Sequence, residues 1–175
     1  AMESFRYAVT KSEDAHSKAR KAFDFLQFLQ QVTGTDGFFA RTVVPADWTT
    51  VHDANRTYTA PQRAEALVED PRFKPVEERW HASADGRWLW KGDASSDEMC
   101  GHMMGYFFFY ELAADDQEKE MIRMHVRKIM DYLMSNHYNF IDIDGTHTHW
   151  AVWSPDALNS DPEWASERSI NSFEL

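Results

Sequence analysis

This chain is short of several things, and each shortage removes a class of function. It has one cysteine, Cys100, in 175 residues, so no intramolecular disulfide can staple it. The place of Cys100 inside an apolar run predicts a small buried hydrophobe. Basic residues are scarce: 18 Lys and Arg stand against 29 Asp and Glu, for a net charge of −11. No basic stripe exists to neutralise phosphates, which argues against nucleic acid as a partner and against an anionic membrane surface. No run approaches the roughly 18 apolar residues that span a bilayer. The start, Ala1-Met2-Glu3, has no signal-peptide pattern, and the compartment stays open, export included. There is no Gly-x-Ser-x-Gly elbow and no glycine-rich phosphate loop.

Aromatic residues, by contrast, are plentiful: 14% of the chain, with seven tryptophans, beside eight histidines. Hydrophobic content is 43%, which is enough for one domain with a real core. A neutral or weakly charged ligand suits the acidic balance best.

Helical periodicity dominates the remainder. Residues 12 to 32 read as an amphipathic helix with a stripe of Ala15, Ala19, Ala22, Leu26 and Leu29. Thr10 and Glu13 have capping-box spacing, and Gly34 supplies a stop. Residues 96 to 113 read as a helix apolar all round, which must be covered on every side. Ser95 and Glu98 fit its capping box. A third helix runs from about Asp116 to Ser135, with Ile122, Val126, Ile129, Met130 and Leu133 on its buried face. The link between these two is so short that they must form an antiparallel hairpin. Asp144-Gly145 between alternating residues predicts a β-hairpin near residues 140 to 150. Ser166 and Glu167 open a fourth helix that runs to Leu175.

Residues 33 to 94 form a long irregular stretch interrupted by Pro45, Pro61, Pro71 and Pro75, with a short helix near residues 61 to 69. Connections this long usually carry function. It is read as a functional loop or insertion within a single domain, residues 1 to 175. Both long connections, 33 to 94 and 136 to 165, are expected on the face where the apolar helices begin. That face collects most of the Trp, His, Asp and Arg.

Three segments carry a resemblance. Gly37-Phe-Phe-Ala-Arg-Thr-Val43 is similar to an outer-helix-to-loop junction of the six-hairpin glycosidase (α/α) toroids. Trp90-Lys-Gly-Asp-Ala-Ser-Ser-Asp-Glu-Met-Cys-Gly-His102 and Trp164-Ala-Ser-Glu-Arg-Ser-Ile-Asn-Ser172 resemble their loop-to-inner-helix junctions. The likeness is to an uncharacterised subgroup, so no catalytic residue is carried over. It implies an all-α fold: antiparallel αα-hairpins of an incomplete toroid, with long loops and a small β-hairpin on one face. It also implies a carbohydrate ligand, in a glycoside hydrolase or polysaccharide lyase-like protein. A closed ring needs many more helices than three full ones and the start of a fourth. A homo-oligomer, or the rest of a longer chain, is therefore expected, together with exposed apolar surface.

The candidate site follows from the same face. Asp93, Asp97 and Glu98 are the candidate catalytic carboxylates, since glycoside hydrolysis uses a pair of them; the competing reading makes them caps and helix-dipole partners. Trp88, Trp90, Trp150 and Trp153 are candidate sugar-stacking walls, or equally loop residues packed over helix ends. Arg41, His102, His147, His149 and Arg168 are candidate polar contacts to substrate. His147 and His149, at i and i+2 on a strand, have the spacing of a zinc pair, but no third ligand follows at familiar spacing. Asp142-Ile-Asp144-Gly145 starts like a calcium loop and lacks its closing Glu. No metal and no cofactor is expected. The alternative is a non-catalytic helical module that binds a glycan or a protein. Carboxylates facing each other about 5–10 Å apart would favour hydrolysis. Carboxylates turned into amides and arginines would favour binding.

Overall fold

Residues 1–174 are described by a computed structural model. The chain begins with two helices, α1 (Met2–Thr10) and α2 (Glu13–Gln31). Lys11 turns the corner between them at φ 53°. The capping spacing of Thr10 and Glu13 is therefore misleading. Thr10 ends α1, its hydroxyl donating to the Arg6 carbonyl, and Ser12 precedes α2. Buried residues of α2 recur at Ala15, Ala19, Phe23, Leu29 and Gln30, one face of a 3.6-residue repeat.

The irregular stretch expected over 33 to 94 is substantially ordered. It holds β1 (Thr42–Pro45), α3 (Ala60–Glu69), β2 (Trp80–Ala82) and β3 (Trp88–Lys91). The strands form an antiparallel sheet in the order β1-β3-β2. Its register sets Val43 and His81 on either side of Trp90. Asp85-Gly86 makes the β2–β3 turn, with Gly86 at φ 68°. The 52–58 loop is tied to the start of β2, Asn55 Oδ1 accepting from the amides of Arg79 and Trp80 at 2.8 Å, and Asp53 pairs with Arg56, Arg79 and Lys91.

Helices α4 (Ser96–Leu112) and α5 (Asp116–Ser135) form the expected hairpin. Asp115 caps α5 by accepting from the Glu118 amide at 2.8 Å. The second sheet is the hairpin of β4 (Asn139–Ile141) and β5 (His147–Val152), turned by Gly145 at φ 79°. The short α6 (Pro155–Asn159), a 3-10 turn at Pro162–Trp164 and α7 (Arg168–Glu174) complete the chain. Leu175, the expected end of the fourth helix, lies outside the described residues.

The all-α toroid is thus overturned. The protein is a mixed α/β structure, 51% helix and 12% strand, with two small antiparallel sheets. The physical reason is local. Short β-branched and aromatic runs, Thr42-Val-Val and Trp88-Leu-Trp, pair edge to edge once the Asp-Gly turn closes. The all-round burial expected for α4 also fails, because Met104 is 54% and Phe107 59% exposed. Cys100, on the same helix, is only partly buried. Among the described residues no helix is long and apolar enough to cross a membrane.

One core joins helices and sheets, running from Phe23 and Phe109 through Phe38, Phe39 and Phe140 to Trp90 and Trp153. Gly37 locks the loop after α2 onto α5. At φ 85°, a Cβ there would collide with the Lys128 carbonyl and the Tyr132 Cβ.

Candidate functional site

Asp93 is where the two long connections meet. It follows β3 at φ 52° and is 7% exposed. Its Oδ1 accepts the His149 amide of β5 at 2.7 Å. Its own amide donates to Asp142 Oδ2 at 2.8 Å, and its carbonyl accepts from Arg41 at 3.3 Å. Glu98 is equally committed. Its Oε2 accepts from the amide and hydroxyl of Ser95, both at 2.6 Å, and Arg41 Nε donates to its Oε1 at 3.2 Å. Asp97 is different: it is exposed on the first turn of α4, with no partner among the described residues. Of the three candidate carboxylates, two are thus turned into backbone amides and an arginine.

The other candidates separate into core, surface and cluster. Trp90 and Trp153 are core residues, 3% and 2% exposed, and offer no free stacking face. A corner of Trp90 reaches a groove described below. His102 is also interior. It stacks on Phe39 at 4.0 Å, and its Nδ1 meets the Tyr106 hydroxyl at 2.6 Å. The same hydroxyl meets His125 Nε2 at 2.8 Å. Burial holds both imidazoles near a pKa of about 4, and pushes the Tyr106 phenol up. His149 Nε2 meets Asp70 Oδ2 at 3.1 Å, and its ring stacks on Trp150 at 4.1 Å. The Arg72 guanidinium covers Trp150 at 4.7 Å and Trp164 at 5.5 Å, so the Trp150 face is already occupied. His147 donates its Nδ1 proton to the Thr148 carbonyl at 2.7 Å. Arg168 Nη2 donates to the Asp161 carbonyl at 2.9 Å. Among the described residues no group of three His, Cys, Asp or Glu side chains is placed to hold a metal ion.

Of the candidate tryptophans, Trp88 is partly exposed, lines an open cleft and has no cation stacked on it among the described residues. It is partly exposed and meets Phe28 edge-on at 5.4 Å. Beside it opens a groove of about 650 Å³, between the end of α2 and the β2–β3 hairpin. Phe28, Trp88, Trp90 and Ile143 supply its apolar wall, and Glu78 and His81 its polar edge. His81 lies over Trp90 at 4.5 Å, with Nδ1 3.6 Å from Glu78 Oε1. A second hollow of about 310 Å³ continues from His81 and Glu78 to Asp142. Burial raises the Asp142 carboxyl, against the two amides it accepts and Lys74 at 3.9 Å. Gly92 makes room here: a Cβ would lie 3.1 Å from Asp142 Oδ1 and 3.4 Å from His81 Nε2.

His81 and Glu78 were not among the residues singled out from the sequence, and Asp142 was read there only as the start of a segment like a calcium loop. One signal existed, the Asp85-Gly86 turn, which sets His81 opposite Trp90. Comparison with known proteins adds nothing to this geometry: no family model, no curated protein and no solved structure matches the chain.

Proposed function

We propose that this chain binds neutral carbohydrate in the groove beside Trp88, and that it does so as a binding module. The observation that carries the reading is the lining. Aromatic and aliphatic surface from Phe28, Trp88 and Ile143 stands beside the polar side chains of Gln31, Glu78 and His81, and no Lys or Arg is among the described residues that line the groove. A pyranose presents an apolar C–H face and a rim of hydroxyls, and matches both halves. A uronate or phosphate would meet the carboxylate of Glu78 and no Lys or Arg among the described lining residues.

Binding is favoured over bond cleavage by the fate of the carboxylates. Asp93 and Glu98 hold the backbone and Arg41. Asp142, the carboxyl that burial makes a weaker acid, has both oxygens on the amides of Asp93 and Ile143. Glycoside hydrolysis uses a pair of carboxyl groups facing each other across the bond; of the three sequence candidates only Asp97 is free of partners among the described residues, and it does not line the groove, where Glu78 is an exposed carboxylate.

The test is calorimetry with neutral tetrasaccharides of glucose, mannose and xylose, on the wild type and on Trp88→Ala. Saturable binding that weakens about tenfold or more in Trp88→Ala supports the reading, that being the scale of one lost aromatic anchor. Binding to none of them, or equal binding by the variant, overturns it.

A further inference from the structure

Helix α4 is apolar on nearly every side, but the chain itself covers only part of it. Gly101, Met104 and Phe107 stand at i, i+3 and i+6 along its exposed line. Apolar surface continues on both flanks. On one side Phe5 of α1 meets Phe108 at 4.7 Å, and Met2 and Val9 share the face of Phe5. On the other side Phe107 lines an open groove between α4 and α5, with Met103, Met130 and Met134. Met2, Phe5, Val9, Met104, Phe107 and Met134 are all exposed. Together they show on the order of 700 Å² of surface, more than scattered apolar side chains leave and close to the ~800 Å² per partner of a stable dimer.

The face is self-complementary. Two antiparallel copies of one helix, related by a two-fold axis, set a residue before the centre against the residue equally far after it. With Met104 at the centre, Gly101 meets Phe107 of the second copy, and does so twice. Gly101 leaves room for that ring: a Cβ placed there has no neighbour within 4 Å in its own chain. Helix α5 fits the same symmetry. Arg127 and Asp131 line the groove, both exposed and neither ion-paired among the described residues. They flank residue 129 by equal steps. Across the hairpin Tyr106 meets His125 and Tyr110 meets Arg123, which sets Met104 level with residues 127 to 129. One axis therefore serves both helices, and it sets Arg127 against Asp131 of the second copy, also twice. A foreign helix would need neither match. The ends carry a cost, because Asp97 and Glu111 fall opposite each other there, exposed and screened by salt.

We infer that the face formed by α1, α4 and α5 is the interface of a homodimer, two copies of this chain packed with their α4 helices antiparallel. It shares no lining residue with the Trp88 groove and does not depend on that reading.

The test is sedimentation equilibrium of the whole chain from about 1 μM to about 1 mM. The expected result is a reversible dimer that goes no further, because a two-fold contact closes on itself. Phe107→Ala weakens it about tenfold, the scale of one lost aromatic anchor. Gly101→Leu is the sharper variant. It puts a better helix former into open space, so the dilute monomer melts no lower than the wild type. The new side chain takes the place of Phe107 of the second copy, and weakens the dimer about tenfold or more. Arg127→Asp and Asp131→Arg each bring like charges together and weaken self-association. Mixed in equal amounts, they restore opposite charges on both sides of the axis and associate more tightly than either alone. A monomer over the whole range overturns the inference and leaves the face to a different protein. So does an open series of larger assemblies, a dimer that Gly101→Leu leaves as tight as before, or a pair of charge variants that gains nothing on mixing.

Discussion

Tyr106 and Trp88 are both aromatic residues with ionisable neighbours, but they stand in opposite surroundings. Tyr106 is 2% exposed and lies between His102 and His125, each 4% exposed. Its hydroxyl meets a ring nitrogen on either side, and Phe23, Phe39 and Phe109 enclose the group. Trp88 stands on a sheet at the rim of a groove, near a histidine whose only ionic neighbour among the described residues is an exposed glutamate at 3.6 Å. The same residue types build a sealed interior in one place and an open recognition surface in the other. What separates them is how many polar atoms already have partners.

Breaking the interior should cost far more than altering the rim. Gly37→Ala should have the largest effect, about 3–5 kcal/mol or failure to fold. The positive φ and the collision with α5 add together there. Urea denaturation measures it, and a loss below about 1 kcal/mol would mean the loop does not clamp α5.

Acid should come next. His102 and His125 titrate near 4 in the folded chain, mainly because burial penalises the imidazolium. The unfolded chain takes up these protons near pH 6.5. Stability is therefore full above about 6.5 and falls, by a few kcal/mol, as pH drops towards 4. Asp142, raised by burial, acts in the opposite sense and trims that loss at its lower end. Melting temperature against pH reads the slope directly; a flat profile between 6.5 and 4.5 would mean the two imidazoles are not sealed.

Tyr106→Phe removes one oxygen and leaves two buried ring nitrogens without it, at about 1–3 kcal/mol. His81→Ala, at the rim, should change stability by less than about 1 kcal/mol. Equal effects would erase the contrast between the two regions.

The Asn variant of Asp93 gives the smallest and most discriminating change. Asp93→Asn keeps an oxygen for the His149 amide and tolerates φ 52°, so it should cost only a few tenths of a kcal/mol. Asp93→Ala should cost about 1–2 kcal/mol. Neither should alter glycan binding, and loss of binding in the Asn variant would restore Asp93 to the site.

The helical half was legible because its periodicity is strong. The α4–α5 hairpin and the Asp144-Gly145 turn follow from spacing alone. The helix α1 was not, since only Ser4 is buried along it and the Thr10–Glu13 spacing imitates a cap. The three-stranded sheet was hidden because each strand is only three or four residues long, and the intervening prolines read as irregular chain. For the site, sequence gathered residues around the α4 N-terminus but could not say which way they face. Asp93 and Glu98 are there, turned inward. His81 was out of reach because only the β2–β3 register places it on Trp90, nine positions along the chain.

The most direct test of the groove is to map backbone amide shifts on adding a neutral tetrasaccharide to the intact chain. Shifts concentrated on residues 28–34 and 78–90, with the Trp88 indole N–H among the largest, are what this account predicts. Shifts centred on Asp93, Asp97 and Glu98, with Trp88 unmoved, would contradict it.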